Sequence, residues 1–373
     1  MHGVTNNNDA NGHGGLVDRK TVVRVVLALL IFAMPLSAQR LVVSDTLDIG
    51  QTHGPASFNS MPISIAKDSR GRYFVAQGMS KENVMRFDST GRFLGRIGRY
   101  GTGPGEFIWA SEVFTNERDA LFVFDVRQGR ISVFDPSGNF LNSYNVPATR
   151  GDLSYMDDST FVLNQESYQP DLVGFPLHVL RLAKPTGRIA KSFGATAGAY
   201  VFQPDGVAML RHTHDYTDGH TIWVAPEHEY RIDRIDVLTG DTLRTIRRTV
   251  PWFPSREPIA KFSPDKPPAP FVRDIKVDQA GIWVLLIVPD PDWASIVKGW
   301  TPETANTIEV RLAEYHDTRI ELLDRSNGNL LASTTMDEFG LSFLGGSQVA
   351  LVYDDEYLIA YLKILSLGLA KQQ

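Results

Sequence analysis

Three short stretches of the chain gather side chains that could do chemistry. The segment Arg211-His212-Thr213-His214-Asp215-Tyr216-Thr217-Asp218-Gly219-His220 places three histidines and two aspartates within ten residues. On a strand, His212 and His214 share one face, an arrangement in which imidazoles and carboxylates can converge on a metal ion. The Asp218-Gly219 pair, however, reads as a hairpin turn, so structural or solvated histidines are the favoured reading of this segment. Glu227-His228-Glu229 and Tyr315-His316-Asp317 each set an imidazole beside carboxylates, the pairing that general acid–base chemistry uses. Arg127, Glu166 and Asp354-Asp355 add further charge, and carboxylates converging from separate elements could hold a hard divalent cation such as calcium. Trp293 and Trp300 sit in a long insertion too apolar to be disordered, where aromatic side chains serve as a lid or as binding anchors, or build the loop's own small core. The candidate ligand-binding set is therefore Arg127, Glu166, Glu227, His228, Trp293, Trp300, His316 and Asp354. No nucleophile motif and no metal-ligand series accompanies them, and no catalytic residue is assigned. The Gly-rich run Gly101-Thr102-Gly103-Pro104-Gly105-Glu106 lacks the Lys and helix of a phosphate cradle and reads as a structural turn.

These residues must be positioned by a scaffold, and the composition limits which. The chain has 373 residues, 37 Lys+Arg against 43 Asp+Glu, and no cysteine. Disulfide frameworks, thiolate metal sites, cysteine nucleophiles and cysteine-linked lipids are excluded. At 43% hydrophobic and 21% charged the composition is that of a globular protein able to build a core without staples. The mild acidity provides no electrostatic footprint for nucleic acid, which leaves a protein, a peptide or a small molecule as the expected ligand.

Residues 1–18 are rich in Asn, Gly and His, and Arg19, Lys20 and Arg24 then lead into the apolar run Val25–Met34, followed by Pro35-Leu36-Ser37-Ala38. A basic flank, a short apolar run and a small-residue end form the pattern of a secretory signal peptide. The apolar run is about half of the roughly 20 residues needed to span a bilayer. A mature chain beginning near Gln39, secreted or periplasmic, monomeric and without a membrane span, is the expectation.

One phrase recurs along the rest of the chain: an alternating apolar strand, a polar turn ending in Gly, and a second strand. It reads Val84-Met85-Arg86-Phe87-Asp88-Ser89-Thr90-Gly91-Arg92-Phe93-Leu94, then Ile131-Ser132-Val133-Phe134-Asp135-Pro136-Ser137-Gly138-Asn139-Phe140-Leu141, with weaker copies around Gly187, Gly240 and Gly328. Each is a hairpin whose glycine is expected to supply a positive φ. The glycines are separated by 47, 49, 53 and 88 residues, and the first three intervals match a four-stranded propeller blade. The last matches a blade carrying an insertion, residues 289–318, in which Thr301-Pro302 is expected to start a short helix. A sixth unit near the C-terminus, 341–362, has three strands, and Leu41–Ile49 is the natural donor of its fourth. Closing a ring with strands from both chain ends leaves no exposed sheet edge there. The predicted fold is an all-β, six-bladed β-propeller over residues 39–368, closed by an N-terminal strand, with a short tail at 369–373.

Ile97-Gly98-Arg99-Tyr100-Gly101-Thr102-Gly103-Pro104-Gly105-Glu106-Phe107, together with Asp125 and Arg130-Ile131-Ser132-Val133-Phe134, resembles the linker and strand pattern of NHL-repeat propellers. The resemblance extends over 41–368 and is similar to exported bacterial six-bladed propellers. No Trp-Asp signature and no repeated Gly-Gly pair favours WD40 or kelch propellers. Binding residues on such a scaffold are expected on the long-loop face, where blades connect and where second strands turn into third strands. The leading functional expectation is a noncatalytic exported propeller that binds a ligand, peptide or protein there. The alternative is a divalent-cation-dependent propeller lyase or hydrolase with its site at the channel mouth.

Overall fold

The computed structural model describes residues 38–51, 54–77, 84–146, 152–164, 177–183, 186–194, 210–214, 219–254, 265–298, 312–354 and 360–370. The leader expected at 1–38 lies outside the described residues save for Ala38, as do Glu166, Trp300, Asp355 and the Thr301-Pro302 helix start. The chain from Gln39 onward forms one compact unit.

Strand β1 (Gln39–Ile49) comes first in the chain. The chain forms six four-stranded antiparallel blades, the last of them completed by β1. Blade one holds β2 (Pro62–Lys67), β3 (Tyr73–Gln77), β4 (Val84–Phe87) and β5 (Phe93–Ile97). After the two-residue strands β6 (Arg99–Tyr100) and β7 (Glu106–Phe107), blade two holds β8 (Ala110–Thr115), β9 (Leu121–Asp125), β10 (Arg130–Phe134) and β11 (Phe140–Asn145). Blade three comprises β12 (Asp152–Asp157), β13 (Thr160–Asn164), β14 (Leu177–Ala183) and β15 (Thr186–Phe193). Blade four comprises β16 (Leu210–His214), β17 (Thr221–Pro226), β18 (Arg231–Asp236) and β19 (Thr242–Arg247). Blade five is β20 (Phe271–Val277), β21 (Ile282–Pro289), β22 (His316–Leu323) and β23 (Leu330–Met336).

Blade six has β24 (Phe339–Gly345), β25 (Gln348–Asp354) and β26 (Ala360–Leu369) from the C-terminal end. Its fourth strand is β1, paired antiparallel to β26 from Leu41↔Leu369 to Ile49↔Leu362. The sheet edge that three strands would leave open is thereby covered, as the unpartnered Leu41–Ile49 segment implied. Because β26 continues to Leu369, the tail starts one residue later than expected.

Alternation in the sequence becomes burial between blades. Phe74, Val84 and Ile97 of blade one pack with Val113, Val123 and Phe134 of blade two, and Ile49, Leu362 and Ile364 of blade six pack with Val75 and Phe87 of blade one. The second strands are buried along almost their whole length, since neighbouring blades cover both faces of each.

The hairpins joining first to second and third to fourth strands share one face of the ring, and an Asx turn builds most of them. Asp68, Asp88, Asn116, Asp135, Asp157, Asp236, Asp278 and Asp324 each accept a hydrogen bond from the backbone N–H two residues on, so the side chain substitutes for a backbone turn. Such bonds favour the charged carboxylate. The Thr90 hydroxyl on Asp88, the Asn139 amide on Asp135, the Thr239 N–H on Asp236 and the Ser326 hydroxyl on Asp324 hold these acids below the ordinary range. Gly91, Gly138, Gly240 and Gly328 have the expected positive φ. Gly187 does not: it lies inside β15 opposite Leu182, and closeness of Val146 and Leu180 rather than turn geometry limits a side chain there.

Candidate functional site

The first strand of each blade is innermost, and those of blades one, two, three, five and six line a central channel of about 1000 Å³. The side chains of the corresponding strand in blade four, β16, lie outside the described residues, and with them those of His212 and His214. Four of the inner strands carry a β-bulge at the same place, between Pro62 and Ser64, Ala110 and Glu112, Val272 and Asp274, and Gly340 and Ser342. The extra residue in each, Ile63, Ser111, Arg273 and Leu341, lines the cavity. Bulges re-aim side chains, and the inner strands, each with one edge open to the channel, also bond from blade to blade. Val113 N–H donates to Ser64 Oγ at 3.1 Å, Leu153 N–H to Glu112 Oε2 at 2.8 Å and Phe343 N–H to Asp274 Oδ2 at 2.8 Å. Arg273 Nε donates to the Leu341 carbonyl at 3.3 Å, and Thr115 Oγ1 to the Lys67 carbonyl at 2.7 Å. Two wall carboxylates, Glu112 and Asp274, are thus bound to neighbouring blades' backbones.

Among the described residues, the predicted binding residues Arg127, Glu227, His228, Trp293 and His316 do not line this channel. Arg127 is exposed in the β9–β10 turn, its guanidinium 5.2 Å from the centre of the Trp109 ring, a cation–π contact at the entrance to blade two. That entrance is held by the buried Asp125, which accepts from the N–H groups of Ile108 (2.7 Å) and Arg127 (3.0 Å). Gln77 does the same in blade one, accepting from Asn59 N–H at 2.8 Å. Glu227 and His228 form the β17–β18 turn, where the Glu227 carbonyl accepts from Val272 N–H and the His228 imidazole is buried, 3.8 Å from Glu229. His316 begins β22, buried against Tyr315 (ring centres 4.3 Å apart) and Phe271. It is therefore a strand residue, and the insertion narrows from the expected 289–318 to 290–315. Trp293 starts a four-residue helix, Trp293–Ile296, and is partly buried. Asp354 ends β25 opposite Ala360, its side chain outside the described residues.

Beside His316, Asp317 has its carboxyl buried to 6% exposure. Burial, then the charges of Asp290 and Asp337, push it up to about 6. Among the described residues no three His, Asp or Glu side chains are placed to hold a metal ion. The Gly-rich linker is filled from within. Glu106 Oε2 accepts from Gly103 N–H at 2.7 Å and Oε1 from Arg99 Nε at 2.6 Å, so the N–H that an anion would seek is already taken. Gly98 has φ +77, and a Cβ on it would lie 2.8 Å from the Gly105 carbonyl.

Sequence reasoning did not find two features. The channel wall itself comes from strands that carry no motif. The other is a buried ionic group between blades four and five. Glu321, with no exposure, accepts from Tyr230 OH at 2.5 Å and from Arg319 Nε at 2.8 Å, and pairs with Arg248 at 3.3 Å. Burial and the Glu321 charge raise the Tyr230 phenol well above its ordinary value.

Fold and channel together define an all-β, six-bladed β-propeller. Residues 56–178 match a family model, DUF5128, described as a 6-bladed beta-propeller. Among solved structures, a member of the DUF4221 family from Bacteroides vulgatus ATCC 8482 is similar, with a TM-score of 0.62 at 12% identity over 91% of this chain and 100% of that one. A Bacteroides fragilis NCTC 9343 protein provisionally named as exported has a TM-score of 0.55 at 12% identity over 89% and 96% of the two chains. At these identities the likeness is one of fold. No curated protein matches the chain in sequence.

Proposed function

We propose that this chain is an exported, noncatalytic propeller that binds a small ligand in its central channel, with the long-loop face forming the rim. The observation that carries this reading is the cavity of about 1000 Å³ walled by the innermost strands, the size and concavity of a small-molecule site. Cross-blade hydrogen bonds hold the wall, so a ligand would meet a preformed surface and little ordering cost. Arg127 over Trp109, and Trp293 at the root of the insertion, supply aromatic and cationic groups at the rim. Export is supported by the sequence pattern of the leader.

The test is native mass spectrometry of protein isolated from the exported fraction. A bound small molecule is expected, and Ser342→Trp, which plugs the channel from blade six, should release it while circular dichroism stays unchanged. A mass equal to the polypeptide alone, or an adduct that survives the plug in a folded variant, refutes the reading.

A further inference from the structure

Of the charged side chains lining the channel, the acids and the lysines are used differently. Glu112 and Asp274 each accept a backbone N–H from the neighbouring blade, and Asp158 meets Arg118, Asn116 Nδ2 and Tyr155 OH. Lys67, near the hairpin end of β2, has its ammonium 2.6 Å from the neutral Gln348 Oε1 and 5.7 Å from the Tyr73 ring centre. Lys276, near the hairpin end of β20, has no partner among the described residues. Both lysines are partly buried, and both line the cavity. Blade six separates them, and between them it presents Ser342, which also lines the wall.

An ammonium partly withdrawn from water and given no carboxylate is favoured by an anion that joins it. Two such groups flanking one blade make a local positive field in a cavity of low dielectric, where charge–charge attraction exceeds its strength in bulk water. Blade two, beside blade one, and blade three beyond it carry Glu117, Asp157 and Asp158 at the same end, so charges of both signs are arranged around the ring and would orient a ligand that enters. We infer that the hairpin end of the channel is an anion site in which Lys67 and Lys276 receive a carboxylate or phosphoryl group of a small ligand. This rests on the channel being the binding site.

The experiment uses the mature chain and follows thermal unfolding in rising succinate or inorganic phosphate, each against sodium chloride of equal ionic strength. A saturable rise in Tm beyond the chloride control is expected from at least one anion, succinate marking a carboxylate ligand and phosphate a phosphoryl one. Lys67→Met and Lys276→Met should each raise the half-saturating concentration at least fivefold, and the double variant should abolish the response. Lys298→Met, at an exposed lysine after the short helix, should leave it unchanged. A rise no greater than chloride's, or a double variant that responds like the parent, overturns the inference. Should Ser342→Trp abolish the response while the double lysine variant keeps it, the channel reading stands and the charge assignment falls.

Discussion

Replacing Glu321 by Ala tests how blades four and five are joined. The carboxylate is fully buried and answers three groups: the Tyr230 phenol and Arg248 from blade four, and Arg319 from its own strand. Arg248 and Arg319 have side chains only 15% and 25% exposed, and each lies over an aromatic ring, Tyr230 at 5.2 Å and Trp252 at 4.8 Å. Neither can swing freely into water once the acid is gone. Removing one partner of a buried ionic group costs about 3–5 kcal/mol, mostly because the remaining charges stay buried and uncompensated. At roughly 2 °C per kcal/mol for a domain of this size, calorimetry should show Tm falling by about 6–10 °C. Tyr230→Phe removes one hydrogen bond and leaves both ion pairs, so about 1–3 kcal/mol is expected. It should also lessen the loss of stability above pH 10. A phenol raised in the folded state favours folding below its unfolded value, and that contribution disappears as pH rises toward the folded one. A Glu321→Ala protein melting within 1 °C of the parent would show that the two blades do not depend on this group.

Asp317→Asn probes the same sign of linkage at lower pH: because the folded carboxyl is raised to about 6, its contribution is complete below about pH 4 and lost between there and pH 6. The amide should therefore be more stable than the parent at pH 7, by up to about 3 kcal/mol, with the difference vanishing at pH 4; equal urea midpoints at pH 7 would contradict this. Exported protein should begin near Gln39 and fractionate as a soluble species, and N-terminal sequencing that still reads Met1 would exclude cleavage.

The blades were legible because their signals are local. Asp88 through Gly91 and Asp135 through Gly138 announce a hairpin within a dozen residues, and strict alternation on either side says which face is buried. Closure by Leu41–Ile49 was legible by elimination, one strand lacking a partner and one blade lacking a strand. Gly187 misled because a glycine favoured by close packing looks in sequence like a glycine required by a turn. The channel wall could not be read: Lys67, Glu112, Asp274 and Lys276 sit at unremarkable positions in strands far apart in the chain, and only ring geometry makes them neighbours. Glu321 was hidden for the same reason, its partners Tyr230 and Arg248 lying more than 70 residues away. The histidines and acids of the turns were visible as chemistry, yet their separation from the inner strands was not.

The pairing of β1 with β26 also sets an order of events during synthesis. Leu41–Ile49 is made first and its partner Leu362–Leu369 last, so more than 300 residues must emerge before the ring can shut. Contacts of such long sequence separation form late, after the loop-closure entropy has been met by other contacts. Until then each finished blade has only the neighbours made before it, and the chain stays an open arc with both ends unpaired. A polypeptide that cannot complete its tertiary structure before its C-terminus appears thus commits to the folded state only once synthesis is finished, with its first and last strands brought together in the final step.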